Sequence, residues 1–277
     1  MFIEVNGIRL AYSDSGSGEQ VALLVHGFPL NRSMWDPQIG QLRAAGLRVI
    51  APDVRGFGAS EAGPPGPLTM DQHADDLAGL LDALGVTQPV VLIGLSMGGY
   101  VAFSFWRRYR ARVQALALLD TRASPDSPQA QADRHRLAAE VEALASPQPA
   151  IEAMLPRFFS PHLRAGSRLE KQVMAMMAST QPRAVADGAR GLAARPESFS
   201  ALATIDVPTL VVVGEYDALT PPADSEAIAA GVRGARLVRV AEAGHMSNLE
   251  NPDEVNQALR DWLKQEVARP AGKPTPR

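Results

Sequence analysis

The residue with the clearest chemical potential is Ser96. It lies in Val90–Tyr100, VVLIGLSMGGY, where an apolar run ends at Gly94-Leu95-Ser96-Met97-Gly98 and a helical pattern follows. This is a G-x-S-x-G arrangement on a predicted strand–turn–helix. Such a turn is so tight that side chains at 94 and 98 would collide with the neighbouring backbone. It holds the serine in a strained conformation and lifts its hydroxyl above the strand end. The helix that follows points free amides at a developing oxyanion.

A serine hydroxyl is a weak nucleophile at neutral pH and requires a base. Of the five histidines, His245 stands in Glu242-Ala243-Gly244-His245-Met246, directly after the last predicted strand. His26 also follows a strand but reads as a residue that orients its loop. His73 falls in a helical stretch and reads as a packing or surface residue. His135 and His162 fall in the all-helical stretch and read equally well as plain solvent-exposed residues. The base in turn needs a carboxylate to hold its tautomer. Asp217, in Gly214-Glu215-Tyr216-Asp217, follows another strand and completes a Ser…Asp…His order. Asp120, at the end of Val113–Leu119, and Glu215 are rivals. An oxyanion needs two backbone donors. Met97 N–H is one, and Phe28 N–H, in His26-Gly27-Phe28-Pro29, is the other.

These residues must be brought to one edge of one sheet. Phe2–Val5 and Ile8–Tyr12 alternate around Asn6-Gly7, a strong hairpin signal. Apolar runs at Val21–Val25, Leu47–Ala51, Pro89–Ile93, Val113–Leu119, Thr209–Val213 and Arg236–Val240 read as strands, most of them buried on both faces. Helical patterns near Ser33–Ala45, Met70–Leu84, Met97–Arg108, Pro222–Ala230 and Asp253–Val267 alternate with them. The expected class is α/β, with a mostly parallel sheet covered on both faces. The predicted core is 1–121 and 200–267. Residues 122–199 hold only helical patterns cut by prolines and are expected to form a helical cap over the carboxyl ends of the strands. The tail 268–277, ARPAGKPTPR, is expected to be disordered.

Composition excludes several classes. The 277 residues carry 27 Lys+Arg against 30 Asp+Glu, so no basic footprint suggests nucleic acid as a partner. The run Arg107-Arg108-Tyr109-Arg110-Ala111-Arg112 reads as a solvated helix end. The absence of cysteine rules out disulfides, thiol catalysis and cysteine-held metals. No metal site and no cofactor are expected. No apolar run is long enough to span a bilayer. The N-terminus lacks a basic segment followed by an apolar one, so a cytoplasmic location is expected.

Together HGFP, then Asp53-Val54-Arg55-Gly56-Phe57-Gly58-Ala59-Ser60, then GLSMGG, GEYD and AGHMSNLENP resemble the α/β-hydrolase superfamily in order and spacing. The resemblance implies an eight-stranded sheet, a helical lid and a catalytic triad of Ser96, Asp217 and His245. It gives the D-x-R-G-x-G-x-S stretch a structural role. Within the superfamily the chain resembles small carboxylesterases and 3-oxoadipate enol-lactonases. The implied activity is hydrolysis of a small carboxylic ester or lactone through an acyl-enzyme. Serine at position 96 disfavours dehalogenase and epoxide-hydrolase chemistry, for which these families use aspartate. Met246 in place of tryptophan weakens a C–C hydrolase reading. Phe28 and Met97 depart from the tryptophan and threonine of non-haem haloperoxidases. A non-catalytic receptor for a small ligand is the alternative of another class. Arg122, Phe158 and Phe159, with Met154, Met174, Met176 and Met177, are candidates for the substrate pocket. Arg122 could receive a substrate carboxylate or pair with Asp126 or Asp120. Oligomeric state is left open.

Overall fold

The computed structural model describes residues 1–267, and the tail 268–277 lies outside the described residues. Eight strands form one sheet: β1 (Phe2–Val5), β2 (Ile8–Asp14), β3 (Gln20–Val25), β4 (Leu47–Pro52), β5 (Val90–Leu95), β6 (Val113–Leu119), β7 (Thr209–Gly214) and β8 (Arg236–Val240). Their order is β1-β2-β4-β3-β5-β6-β7-β8. The β1–β2 and β2–β4 pairs are antiparallel and all later pairs parallel. The hairpin turns on Asn6 and Gly7, with φ of 47° and 75°, the two positive values that a type I′ turn demands.

The helices are α1 (Asp36–Ala44), α2 (Met70–Ala83), α3 (Met97–Tyr109), α4 (Pro128–Leu144), α5 (Gln148–Met154), α6 (Arg168–Ala178), α7 (Pro182–Ala193), α8 (Phe199–Leu202), α9 (Pro222–Gly231), α10 (Ser247–Glu250) and α11 (Pro252–Trp262). The first predicted helix begins instead with a 3-10 turn at Arg32–Trp35. The last changes after Trp262 to a π-helical turn, Leu263–Val267. Successive side chains of a strand face opposite ways, so the sheet divides the core in two. Val21, Leu23 and Val25 join Leu77, Val101 and Phe105 on one side. Ala22 and Leu24 join Leu42, Leu259 and Trp262 on the other. Five helices, α4 to α8, lie between β6 and β7 in the chain.

The D-x-R-G-x-G-x-S stretch is a brace. Arg55 and Asp76 are both buried and form a two-pronged ion pair, each contact 2.7 Å. Asp53 accepts from the Arg32 and Ala59 amides and pairs with the Arg32 guanidinium. A Cβ at Gly58 would meet Asp53 Oδ2 at 2.2 Å. Val54 N–H donates to His26 Nε2 at 3.0 Å, which ties this stretch to the loop after β3. The basic run on α3 and beyond is solvated and paired, Arg108 with Asp75, Arg110 with Asp206 and Arg112 with Asp82. Among the described residues, no helix is long and apolar enough to cross a membrane.

His73 is fully buried, and neither ring nitrogen has a partner. Burial, with His26 and Arg55 nearby, pulls its pKa down to about 3 from an ordinary 6.5. Above pH 6.5 the ring is neutral in both folded and unfolded chains and contributes nothing to the pH dependence. Below it the unfolded chain binds a proton that the folded protein refuses until about pH 3, so stability falls across that window. His73→Leu is therefore expected to flatten the pH dependence of unfolding free energy by about 1.4 kcal/mol per pH unit between roughly pH 6 and 4. Urea melts at several pH values would measure this, and an unchanged slope would count against it.

Candidate active site

The carboxyl ends of β3 and β5 are neighbours, and the chain turns opposite ways from them, β3 towards β4 and β5 towards β6. An open α/β sheet forms its crevice at such a point. The loop after β3 carries Phe28, and the turn after β5 carries Ser96. Ser96 has φ 54° and ψ −114°, a strained conformation for a side-chain-bearing residue. The turn is held by Ser96 N–H donating to Leu119 O at 2.9 Å, and by Thr121 Oγ1 donating to Ser96 O at 2.8 Å. A Cβ at Gly94 would lie 2.3 Å from Gly98 O, and one at Gly98 would lie 2.1 Å from Val25 O. Glycine is required at both positions because backbone fills the space.

Three side chains converge above the strand ends. Ser96 Oγ is 2.8 Å from His245 Nε2. His245 Nδ1 is 2.8 Å and 3.0 Å from the two carboxylate oxygens of Asp217. Asp217 also accepts from the Leu219 and Thr220 amides at 2.8 and 2.9 Å and from Thr220 Oγ1 at 2.7 Å. Burial alone would raise this carboxyl, but His245 and these hydrogen bonds outweigh it and leave the pKa below its usual value. Phe158 stacks nearly parallel on the imidazole, with centroids 5.8 Å apart.

Both rivals for the carboxylate role are engaged elsewhere. Asp120 is fully buried, accepts from Gly214 N–H at 2.8 Å and binds the Ser247 hydroxyl. It thereby ties the end of β7 to the segment after His245. Burial and the charge of Asp217 push its pKa well above the ordinary carboxylate range. Glu215 accepts from Glu242 N–H at the surface.

Phe28 and Met97 both line the cavity in front of Ser96. Among the described residues neither backbone N–H has an intramolecular acceptor. The Phe28–Pro29 peptide is cis. His26 does not reach Ser96. Its Nδ1 binds Gly27 O at 2.9 Å and its Nε2 receives Val54 N–H, so it shapes this loop.

The cavity has a volume of 420 Å³. Its apolar wall comes from Phe28, Met97, Tyr100, Leu137, Met154 and Leu192, and its charged wall includes Arg122 and Arg134. Two pocket expectations are corrected. Phe158 and Phe159 do not line the cavity. Their segment is tied down onto the His245 loop: Glu250 accepts from Ser160 N–H and Oγ and from Gly244 N–H. Met246 N–H donates to Phe158 O, and a Cβ at Gly244 would lie 2.5 Å from Phe159. Of the four methionines expected in the pocket from residues 122–199, Met154 lines the cavity; Met174 is exposed, while Met176 and Met177 are buried in the core. Arg122 lines the cavity and also pairs with Asp126 at 2.6 Å. Local sequence does not mark Leu137 or Leu192 as cavity residues, whereas Tyr100 stands in the Ser96 motif and Glu250 in the His245 motif. His135 and His162 are exposed. Among the described residues, no group of three or more His, Asp or Glu is placed to hold a metal ion.

A parallel sheet with a strained serine after its fifth strand, hydrogen bonded to a histidine after its last, defines a hydrolase-type α/β architecture. The chain belongs to the alpha/beta hydrolase fold family, whose model matches residues 21–252. It is similar to a thermophilic esterase from Thermogutta terrifontis, solved with malate bound. That structure is 43% identical, with a TM-score of 0.92 over 97% of this chain and 100% of that one. An enol-lactonase from Burkholderia xenovorans LB400 is 30% identical, with a TM-score of 0.85 over 96% of this chain and all of that one. A protein of Synechocystis sp. bearing the name non-heme chloroperoxidase is 30% identical over 93% of this chain and 95% of its own length.

Proposed function

We propose that this protein is a serine hydrolase that cleaves a small carboxylic ester or lactone through an acyl-enzyme. The observation that carries the reading is the unbroken hydrogen-bonded chain Ser96–His245–Asp217 opening onto a cavity of 420 Å³. His245 Nε2 takes the Ser96 proton as Oγ attacks the carbonyl carbon. The tetrahedral oxyanion is held by the Phe28 and Met97 amides. His245 passes the proton to the leaving alkoxide, and the C–O bond breaks. Water then attacks the acyl-enzyme, giving its proton to His245, and the acid leaves as Ser96 is reprotonated. Asp217 keeps the Nδ1–H tautomer and stabilises the imidazolium. In this reading residues 122–199 are the cap that walls the cavity, and the ligand is a small molecule. The esterase and enol-lactonase likenesses support an ester-bond substrate.

The test is turnover of p-nitrophenyl acetate together with labelling by a fluorophosphonate. Turnover is expected, with the label on Ser96. An enzyme that neither turns over the ester nor takes the label would refute the proposal.

A further inference from the structure

We infer that Glu250 and the segment Phe158–Ser160 are positioning elements for His245, so that the stretch between β6 and β7 holds the imidazole as well as walling the cavity. Their part in catalysis rests on the ester-hydrolase reading; the grip on the histidine does not. The bonds to Ser96 and Asp217 leave the imidazole from two edge atoms, Nε2 and Nδ1. Two such bonds leave the ring able to tilt about the line joining them, and they do not fix the backbone that carries it. Phe158 supplies the first further restraint. It is 1% exposed and lies within 15° of parallel to the imidazole. That is an offset stack at a separation usual for aromatic pairs, and it blocks tilt towards that face.

The backbone is gripped on both sides of His245. Met246 N–H donates to Phe158 O at 3.0 Å. Gly244 N–H donates to Glu250 Oε2 at 2.6 Å, and the same carboxylate accepts from Ser160 N–H at 3.0 Å and from Ser160 Oγ at 2.9 Å. Glu250 thus bridges the residue before the histidine to the residue two beyond Phe158. The approach is backbone to backbone: a Cβ at Gly244 would meet Phe159 C at 2.5 Å and Ser160 N at 2.6 Å. Arg157 Nη2 donates to Ala218 O at 3.0 Å, so the same stretch also reaches the loop that carries Asp217. Among the described residues, Phe158, Ser160 and Glu250 all stand outside the cavity lining, so they act through His245 and not on substrate. A misplacement of about 1 Å at a reacting group can slow turnover about 10²-fold.

The test is p-nitrophenyl acetate turnover by E250A, E250Q and F158L, each measured well below its melting temperature. E250A removes both acceptor oxygens. Its kcat is expected to fall about tenfold or more, with KM within about threefold of wild type. E250Q should recover kcat to within about fivefold of wild type. Its amide oxygen can take the Oε2 place and accept from Gly244 and Ser160 N–H, while its NH₂ donates to Ser160 Oγ, which can accept as well as donate. F158L keeps an apolar side chain without a ring to stack, and should also lose kcat and not KM. The low-field proton resonance of His245 Nδ1–H, identified by its loss in H245A, gives a readout that needs no turnover. It should exchange faster with solvent in E250A and F158L than in wild type or E250Q. If E250A does not fold, F158L and the resonance decide. An E250A enzyme that melts lower yet keeps kcat and the resonance would make Glu250 structural only and overturn the inference. So would an E250Q enzyme no better than E250A, or a rise in KM with kcat held. If wild type cleaves no ester, the hydrolase reading fails by itself and the resonance alone tests the grip. Equal exchange in wild type, E250A and F158L, or no such resonance in wild type, refutes it.

Discussion

Ser96→Ala is expected to lower kcat for p-nitrophenyl acetate by about 10⁴- to 10⁶-fold, with little change in KM. The substitution removes one atom whose side-chain bond is to His245 Nε2 at 2.8 Å. It leaves the bonds that hold the turn, Ser96 N–H to Leu119 O and Thr121 Oγ1 to Ser96 O, because both use backbone. Alanine bears the positive φ at a cost close to that of serine, so the fold survives and the loss is chemical. Residual activity should come from the Phe28 and Met97 amides and from water activated by His245. Single-turnover and steady-state assays with matched thermal melts would measure this. Activity within tenfold of wild type would place the nucleophile elsewhere.

Asp217→Asn should cost about 10⁴-fold in kcat with the fold retained. The hydrogen bonds around Asp217 decide which way the new amide faces. The Leu219 and Thr220 amides donate to Oδ1, so the amide oxygen stays there. The NH₂ group then takes the Oδ2 position, 2.8 Å from His245 Nδ1. The shorter contact of Nδ1 is then with a donor and the amide oxygen is the more distant at 3.0 Å, which favours Nδ1 as acceptor and moves the proton to Nε2. An imidazole protonated at Nε2 cannot receive the Ser96 proton. Asp120 cannot take over, since both of its oxygens are bound to Gly214 and Ser247. A loss of less than tenfold in this variant would show that His245 needs no carboxylate partner at Nδ1.

Much of this site can be read along the chain because its parts are local. The glycines at 94 and 98 and the serine between them describe one tight turn. Asp217 and His245 each follow an apolar strand, and in a parallel sheet all such positions lie at one edge. The hairpin at Asn6-Gly7 is equally local. Chain order favours Asp217 over Asp120 and Glu215, but which of them touches the imidazole depends on how loops after β6, β7 and β8 fold over one another. Local spacing does not encode that packing. The pocket aromatics illustrate the same limit. Phe158 and Phe159 have the right type for an acyl pocket. Their placement is set by Ser160 and Glu250, 90 residues apart, which pull that segment onto the histidine loop. Arg122 stands at the end of the sheet as expected, while its company of Arg134 and Arg195 is assembled from three separate segments around Asp126.

By itself the amino-acid order determined the strand–helix alternation, the strained serine turn and the set of groups able to do acyl chemistry, since each follows from nearest-neighbour sterics and hydrophobic periodicity. Only the tertiary structure decided which carboxylate serves the histidine, which side chains wall the cavity and where its positive charge collects. Those outcomes depend on side chains far apart in the chain competing for the same buried hydrogen-bond partners, and that competition is settled only when the sheet, its loops and the overlying helices are packed together.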